Sequence, residues 1–98
     1  MFYRSRDGEI FNLDRTLRVY FTIDCRNDVL VYSGLEEKPP IMEIIDLELK
    51  RTGEDSRDCE MALAEGRAFT SWLFDKLAAG APAGSWEEYE KYRGVVSK

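Results

Sequence analysis

Residues 55–80 read DSRDCEMALAEGRAFTSWLFDKLAAG, and the reading of this stretch decides the fold. Cys59, Ala62, Leu63, Gly66, Phe69, Thr70, Leu73 and Leu77 recur at spacings of three and four, which the helical repeat gathers on one mostly apolar stripe. The spacing predicts a helix over 56–79. Asp55, Ser56 and Asp58 put oxygens and negative charge where first-turn amides lack partners and the helix dipole is positive. Lys76 in the last turn, Gly80 as a left-handed cap and Pro82 beyond it mark the far end. Trp72 falls well off the stripe, on the side of Met61 and Ala68. The helix therefore needs a second contact besides the sheet under its stripe, either within the chain or with a partner.

Upstream of the helix, residues 1–50 read mainly as strands. Met1–Ser5 and Glu9–Leu13 flank the turn signal Asp7-Gly8 and predict a first hairpin. Thr16–Asp24 alternates, with Leu17, Val19, Phe21 and Ile23 on one face and Arg18, Tyr20, Thr22 and Asp24 on the other. After the turn Cys25–Asp28, Val29–Ser33 is short, β-branched and aromatic and should pair back antiparallel. Gly34–Pro40 is an exposed loop. Ile41–Lys50 reads as a strand with Ile41, Ile45, Leu47 and Leu49 on one face and Glu43 as the violation.

Downstream, Gly80-Ala81-Pro82-Ala83-Gly84 reads as a hinge, and Ser85-Trp86-Glu87-Glu88 fits the capping-box pattern that opens a helix. A short terminal helix over 85–93 would set Trp86, Tyr89 and Tyr92 on one face, which the simplest account folds back on Met61, Ala68 and Trp72. The expected architecture is α+β in a single domain over 1–98: an antiparallel sheet of four or five strands on one long helix, with a short C-terminal helix. The uncovered sheet face would display Arg18, Tyr20, Thr22 and Tyr32.

Lys and Arg number 14 against 19 acids, for a formal charge of −5. The acidity starts in the middle: residues 1–26 hold five Arg against four acids, and 27–50 hold six acids against two Lys. Such a chain is repelled by phosphate and suits basic protein surfaces. No apolar run reaches the roughly 18 residues of a membrane span, and the polar start at Arg4, Arg6, Asp7 and Glu9 lacks a signal-peptide pattern. With two cysteines, a cytoplasmic location is expected.

Histidine is absent, which removes Ser-His and Cys-His nucleophile pairs and histidine-ligated zinc. Cys59 lies near the helix start but on its apolar stripe, the place of an inert buried thiol. Glu54, Asp55, Asp58 and Glu60 lack the spacing of a calcium loop and straddle Arg57, so capping explains them better. No cofactor, metal or catalytic residue is expected, and the chain reads as non-enzymatic.

What remains are surfaces. Glu36, Glu37, Glu43, Asp46 and Glu48 form a candidate acidic surface for a basic partner. Trp72, Trp86, Tyr89 and Tyr92 form a candidate aromatic anchor set, weighed evenly against packing on one another. Arg4, Arg18 and Tyr20 are the candidate nucleic-acid face, less favoured than plain cross-strand Arg–Tyr packing because acids are interspersed. As a class, compact acidic chains without catalytic residues resemble phage-encoded inhibitors of host defence, anti-CRISPR proteins among them. That likeness implies an inhibitor that occupies a basic surface of a larger complex such as a nucleoprotein; the other readings are a nucleic-acid binder and a homodimeric accessory subunit.

Overall fold

The structure, a computed structural model, describes residues 1–15, 18–34, 36–47 and 51–96, the side chains of 95 and 96 excepted. Its elements run β1 (Phe2–Arg4), β2 (Ile10–Asn12), a 3-10 turn (Leu13–Arg15), β3 (Val19–Ile23), β4 (Val29–Ser33), β5 (Ile41–Ile45), α1 (Asp55–Ala78), β6 (Ala83–Ser85) and α2 (Trp86–Val96). The α+β class, the long helix and the short terminal helix agree with the sequence reading. The single sheet does not. The described residues form two sheets of three strands, ordered β2-β1-β6 and β3-β4-β5.

The division has a local cause. The predicted hairpin forms, with Tyr3 opposite Phe11 and Gly8 at φ 87° in the turn. The 3-10 turn at Leu13–Arg15 then separates β2 from β3. Ala83 and Gly84, read above as hinge, form with Ser85, read as the helix cap, a strand parallel to β1, with Tyr3 opposite Gly84, and the Phe2 amide donates to the Pro82 carbonyl at 3.1 Å. Ala-Gly-Ser has no strand preference of its own. Its conformation is imposed by what it docks against.

In the second sheet, β3 and β4 pair in register from Val19↔Ser33 to Ile23↔Val29. Asp24 closes their turn, its Oδ1 accepting from the amides of Arg26 and Asp28 at 2.9 Å each, with Asn27 at φ 60°. β5 joins through an irregularity: Val31 faces Glu43 but Tyr32 faces Ile41, which leaves Met42 as the extra residue of a bulge. The bulge turns Met42 and Glu43 inward together and moves Ile41 out to 43% exposure. This corrects the predicted face, of which Ile45 and Leu47 are buried as expected. Leu17, Glu48 and Leu49 lie outside the described residues.

Helix α1 crosses β3 and β4. Gly66 permits the close approach, because a Cβ there would sit 2.5 Å from the Phe21 ring. The buried face of α1 is Asp58, Ala62, Gly66, Phe69, Trp72 and Leu73, while Leu77 is 40% exposed. Compared with the predicted stripe, it is rotated toward Trp72, because α2 and β1 cover that side. The caps also differ from expectation. Asp55 and Ser56 do not cap; Asp58 alone reaches back, accepting from the Thr52 amide and hydroxyl at 2.8 Å and the Gly53 amide at 3.1 Å. These bonds, the Thr52 amide foremost, hold its carboxyl below the usual range. At α2 half of the capping box forms. The Glu88 amide donates to Ser85 Oγ at 3.3 Å, while the Glu88 carboxylate pairs with Lys76.

Candidate functional site

Three groups of side chains were candidates for function, and the fold treats each differently. The aromatic set is divided. Trp72, Trp86 and Tyr89 are buried and meet ring to ring, Tyr89 lying 4.9 Å from Phe69, 5.4 Å from Trp72 and 5.5 Å from Trp86. Tyr3 closes the cluster from β1, edge-on to Phe69 at 5.8 Å. Arg93 lies over the Trp86 ring at 5.3 Å and pairs with Glu65 of α1, which also accepts from the Tyr89 hydroxyl at 3.4 Å. Burial pushes the Tyr89 phenol up. The terminal helix thus folds back on Trp72, while Ala68 stays exposed. Of the four aromatics, only Tyr92 is open to solvent, at 42%.

The acidic set is dispersed. Glu36 and Glu37 are exposed in the β4–β5 loop. Asp46 is half-buried and holds Arg51 at 3.1 Å; Glu48 is outside the described residues. Glu43 is 4% exposed, which removes it from any solvated acidic face. It accepts from the Tyr3 hydroxyl at 2.7 Å and from the Arg6 amide at 3.2 and 3.1 Å on its two oxygens, so it ties the two sheets together. Burial raises its carboxyl above the ordinary range against the opposing pull of these bonds. Burial and the Glu43 carboxylate likewise push the Tyr3 phenol up. Sequence reasoning missed this node, although the acid breaking the pattern of an otherwise apolar strand was its signal.

The Arg and Tyr residues belong to two surfaces. Arg4 is exposed on β1 of the first sheet, whereas Arg18 and Tyr20 lie on the open face of the second. On that face the register aligns Tyr20, Tyr32 and Ile41 in one row and Thr22, Leu30 and Ile44 in the next. Tyr20 and Tyr32 stack at 5.3 Å, and the Arg18 guanidinium covers the Tyr20 ring at 4.3 Å. That is the cross-strand packing weighed against base stacking, and it occupies a ring face a base would need. Ile41 and Ile44 are each 43% exposed. The face predicted to display Arg18, Tyr20, Thr22 and Tyr32 therefore also carries Ile44, by alternation with Ile45, and Ile41, brought there by the bulge.

Among the described residues there is no cluster of three or more His, Cys, Asp or Glu able to hold a metal, and Cys25 and Cys59 are free thiols, the first exposed and the second half-buried. No helix among the described residues is long and apolar enough to cross a membrane. Comparison of the chain with protein-family models, with curated proteins and with solved structures finds no match.

Proposed function

We infer that this protein acts by binding another protein, through the open face of β3-β4-β5 and the acidic loop at its edge. The observation that carries the reading is that face itself: a stacked tyrosine pair beside two half-exposed isoleucines, grouped on one sheet face. Tyrosine and arginine with an apolar surround are the composition of interface centres. The perturbed groups Glu43, Asp58, Tyr3 and Tyr89 are each engaged in bonds inside the fold, which favours binding over catalysis.

Size defines what the partner must cover. Three strands about 4.8 Å apart, with about five residues each at 3.3 Å, give a face of roughly 250 Å², well under the about 800 Å² per partner of a stable interface. A self-dimer through this face alone is therefore too small. A partner that also spans Glu36 and Glu37 in the adjoining loop reaches further, and a basic rim on it suits those acids. An inhibitor that occupies a basic surface of a larger complex is a function of this form.

The test is affinity capture from extract of the source organism or its host, with wild type beside Tyr20→Glu/Tyr32→Glu and Glu36→Lys/Glu37→Lys. The reading expects one partner that the tyrosine variant loses and the lysine variant holds weakly. Retention of that partner by both variants overturns it. A gel shift with single-stranded or duplex nucleic acid that survives moderate salt would favour the nucleic-acid reading instead.

A further inference from the structure

The sheet β3-β4-β5 ends at β3, along whose outer edge no strand pairs among the described residues. The Gly34 amide donates to the Arg18 carbonyl at 2.8 Å, and the Asp24 amide donates to the Asp28 carbonyl at 3.1 Å. Alternation between these two bonds turns the backbone groups of Tyr20 and Thr22 toward β4 and those of Val19, Phe21 and Ile23 outward. Native sheets guard such an edge with a charge, a proline, a bulge or a very short strand. The opposite edge has guards of this kind, since β5 carries the bulge at Met42 and the inward Glu43. β3 has none: Val19–Ile23 is five residues long, without charge or proline, and pairs with β4 without irregularity.

Helix α1 supplies an independent observation. Its buried face is rotated toward Trp72, which leaves Cys59, Leu63 and Thr70 half-buried and Phe74 and Leu77 at 68% and 40% exposure. This apolar remainder lies on the β3 side of the helix, where Thr70, Phe74 and Leu77 border a groove of about 260 Å³ together with Arg18 and Val19. An unguarded strand edge and an uncovered apolar flank are therefore neighbours. A strand that arrives with an apolar flank of its own covers both.

We propose that the occupant is the β3 edge of a second copy of this chain, paired antiparallel about a two-fold axis at Phe21. Charge selects both the occupant and the register. With Phe21 opposite the partner subunit's Phe21, Val19 meets the partner subunit's Ile23, and each of these pairs exchanges both backbone bonds. Arg18 then stands opposite the partner subunit's Asp24, and symmetry repeats the match. The Asp24 carboxylate is held in place for this by the Arg26 and Asp28 amides. A slip of two residues, the smallest that keeps outward groups paired, loses the match and shortens the overlap. Val19, Phe21 and Ile23 pack on the helix side of the sheet, so the partner subunit's Ile23 comes beside Phe74 and Leu77. The product is one continuous sheet with three strands from each copy, and its open face doubles to roughly 500 Å². The dimer stands independently of the partner-binding reading. One strand edge and one helix flank make a contact at the small, weak end of specific interfaces, so the chain is monomeric at the low micromolar dilution of an extract.

Sedimentation velocity on the full chain, from about 10 µM to about 1 mM, is expected to show monomer giving way to dimer. At the upper concentration, isotope-filtered NMR on mixed labelled and unlabelled wild type should connect the Tyr20 Hα to the Thr22 Hα of the other copy, because both point to the free edge. Arg18→Asp, which sets like charges opposite each other, and Phe74→Asp should each weaken the dimer at least about tenfold. Ile10→Asp on the other sheet should leave it unchanged. Arg18, Phe74 and Ile10 are exposed, so the variants keep the fold, and unchanged circular dichroism checks this. The proposal is overturned if the chain is still monomeric at about 1 mM, if the Arg18 and Phe74 variants dimerise like wild type, if Ile10→Asp abolishes the dimer, or if a dimer forms without the Tyr20–Thr22 contact.

Discussion

The chain holds two groups of aromatic residues with opposite roles. Tyr3, Phe69, Trp72, Trp86 and Tyr89 interlock between β1, α1 and α2 and are all 6% exposed or less. Tyr20 and Tyr32 stack on a sheet face that α1 does not cover. Composition cannot tell these groups apart, since the buried one has the residue types of an interface anchor. The difference lies in whether a second element is there to receive the rings. Two short sheets joined by a long helix leave a gap that α2 fills with Trp86 and Tyr89, whereas the outer face of β3-β4-β5 has no such element against it among the described residues.

The comparison is broken most forcefully by truncation. Tyr89→Ala or Trp72→Ala should cost about 3–5 kcal/mol, the range for deleting a buried aromatic side chain, measured by urea unfolding. If Tyr20→Ala costs as much, the two groups are not different in kind. Next in size is Tyr3→Phe, which deletes the hydroxyl that Glu43 accepts from and should cost about 1–3 kcal/mol for a buried acceptor left short.

That node also gives a pH dependence. The folded Glu43 carboxyl titrates above the ordinary range, so the folded chain keeps a proton that the unfolded chain releases. The stability tied to this proton is fully present below the ordinary carboxylate pKa and is lost as pH rises through the raised folded value. Asp58, held below its ordinary range, contributes the opposite slope, present at neutral pH and lost in acid. Wild type should therefore lose stability relative to Glu43→Gln as pH rises out of the acid range, and a flat difference contradicts the burial of this charge.

Gly66→Ala should cost about 1–3 kcal/mol from overpacking against the Phe21 ring, less about 1 kcal/mol regained in helix propensity. Net stabilisation would mean that α1 does not approach β3 this closely. Smallest is Tyr20→Ala on the open face, which should change stability by less than about 1 kcal/mol while abolishing partner capture.

Much of this was legible in the chain because it is local. The ends of α1, the β3–β4 hairpin and the Asp7-Gly8 turn follow from periodicity and turn chemistry within a few residues, whereas the packing of Trp86 and Tyr89 is weighed evenly by the sequence against an exposed anchor and is decided by Phe69 and Trp72 on α1. β6 was not legible, since Ala83–Ser85 is a strand only by virtue of β1 beside it. Nor was the inward turn of Glu43: a bulge at Met42 changes which residues face the core, and the Tyr3 hydroxyl that receives the acid is 40 positions away. The same bulge moved Ile41 from the predicted core onto the open face. Of the candidate sites, Arg18 and Tyr20 were placed correctly on that face, but Arg4 belongs to the other sheet, and the acidic set dispersed because its members sit in loop, core and ion pair.

In the proposed function, position on the open face, and not exposure as such, makes a residue a contact. Ile44 and Phe74 test it directly, because Phe74 is the more exposed at 68% against 43% but lies on α1. A photo-crosslinking residue placed at each, in extract of the source organism or its host, should give an adduct from position 44 that excess wild-type protein competes away and little from position 74. An adduct from position 74 without one from 44, or a position-44 adduct that wild type does not compete, would contradict the account.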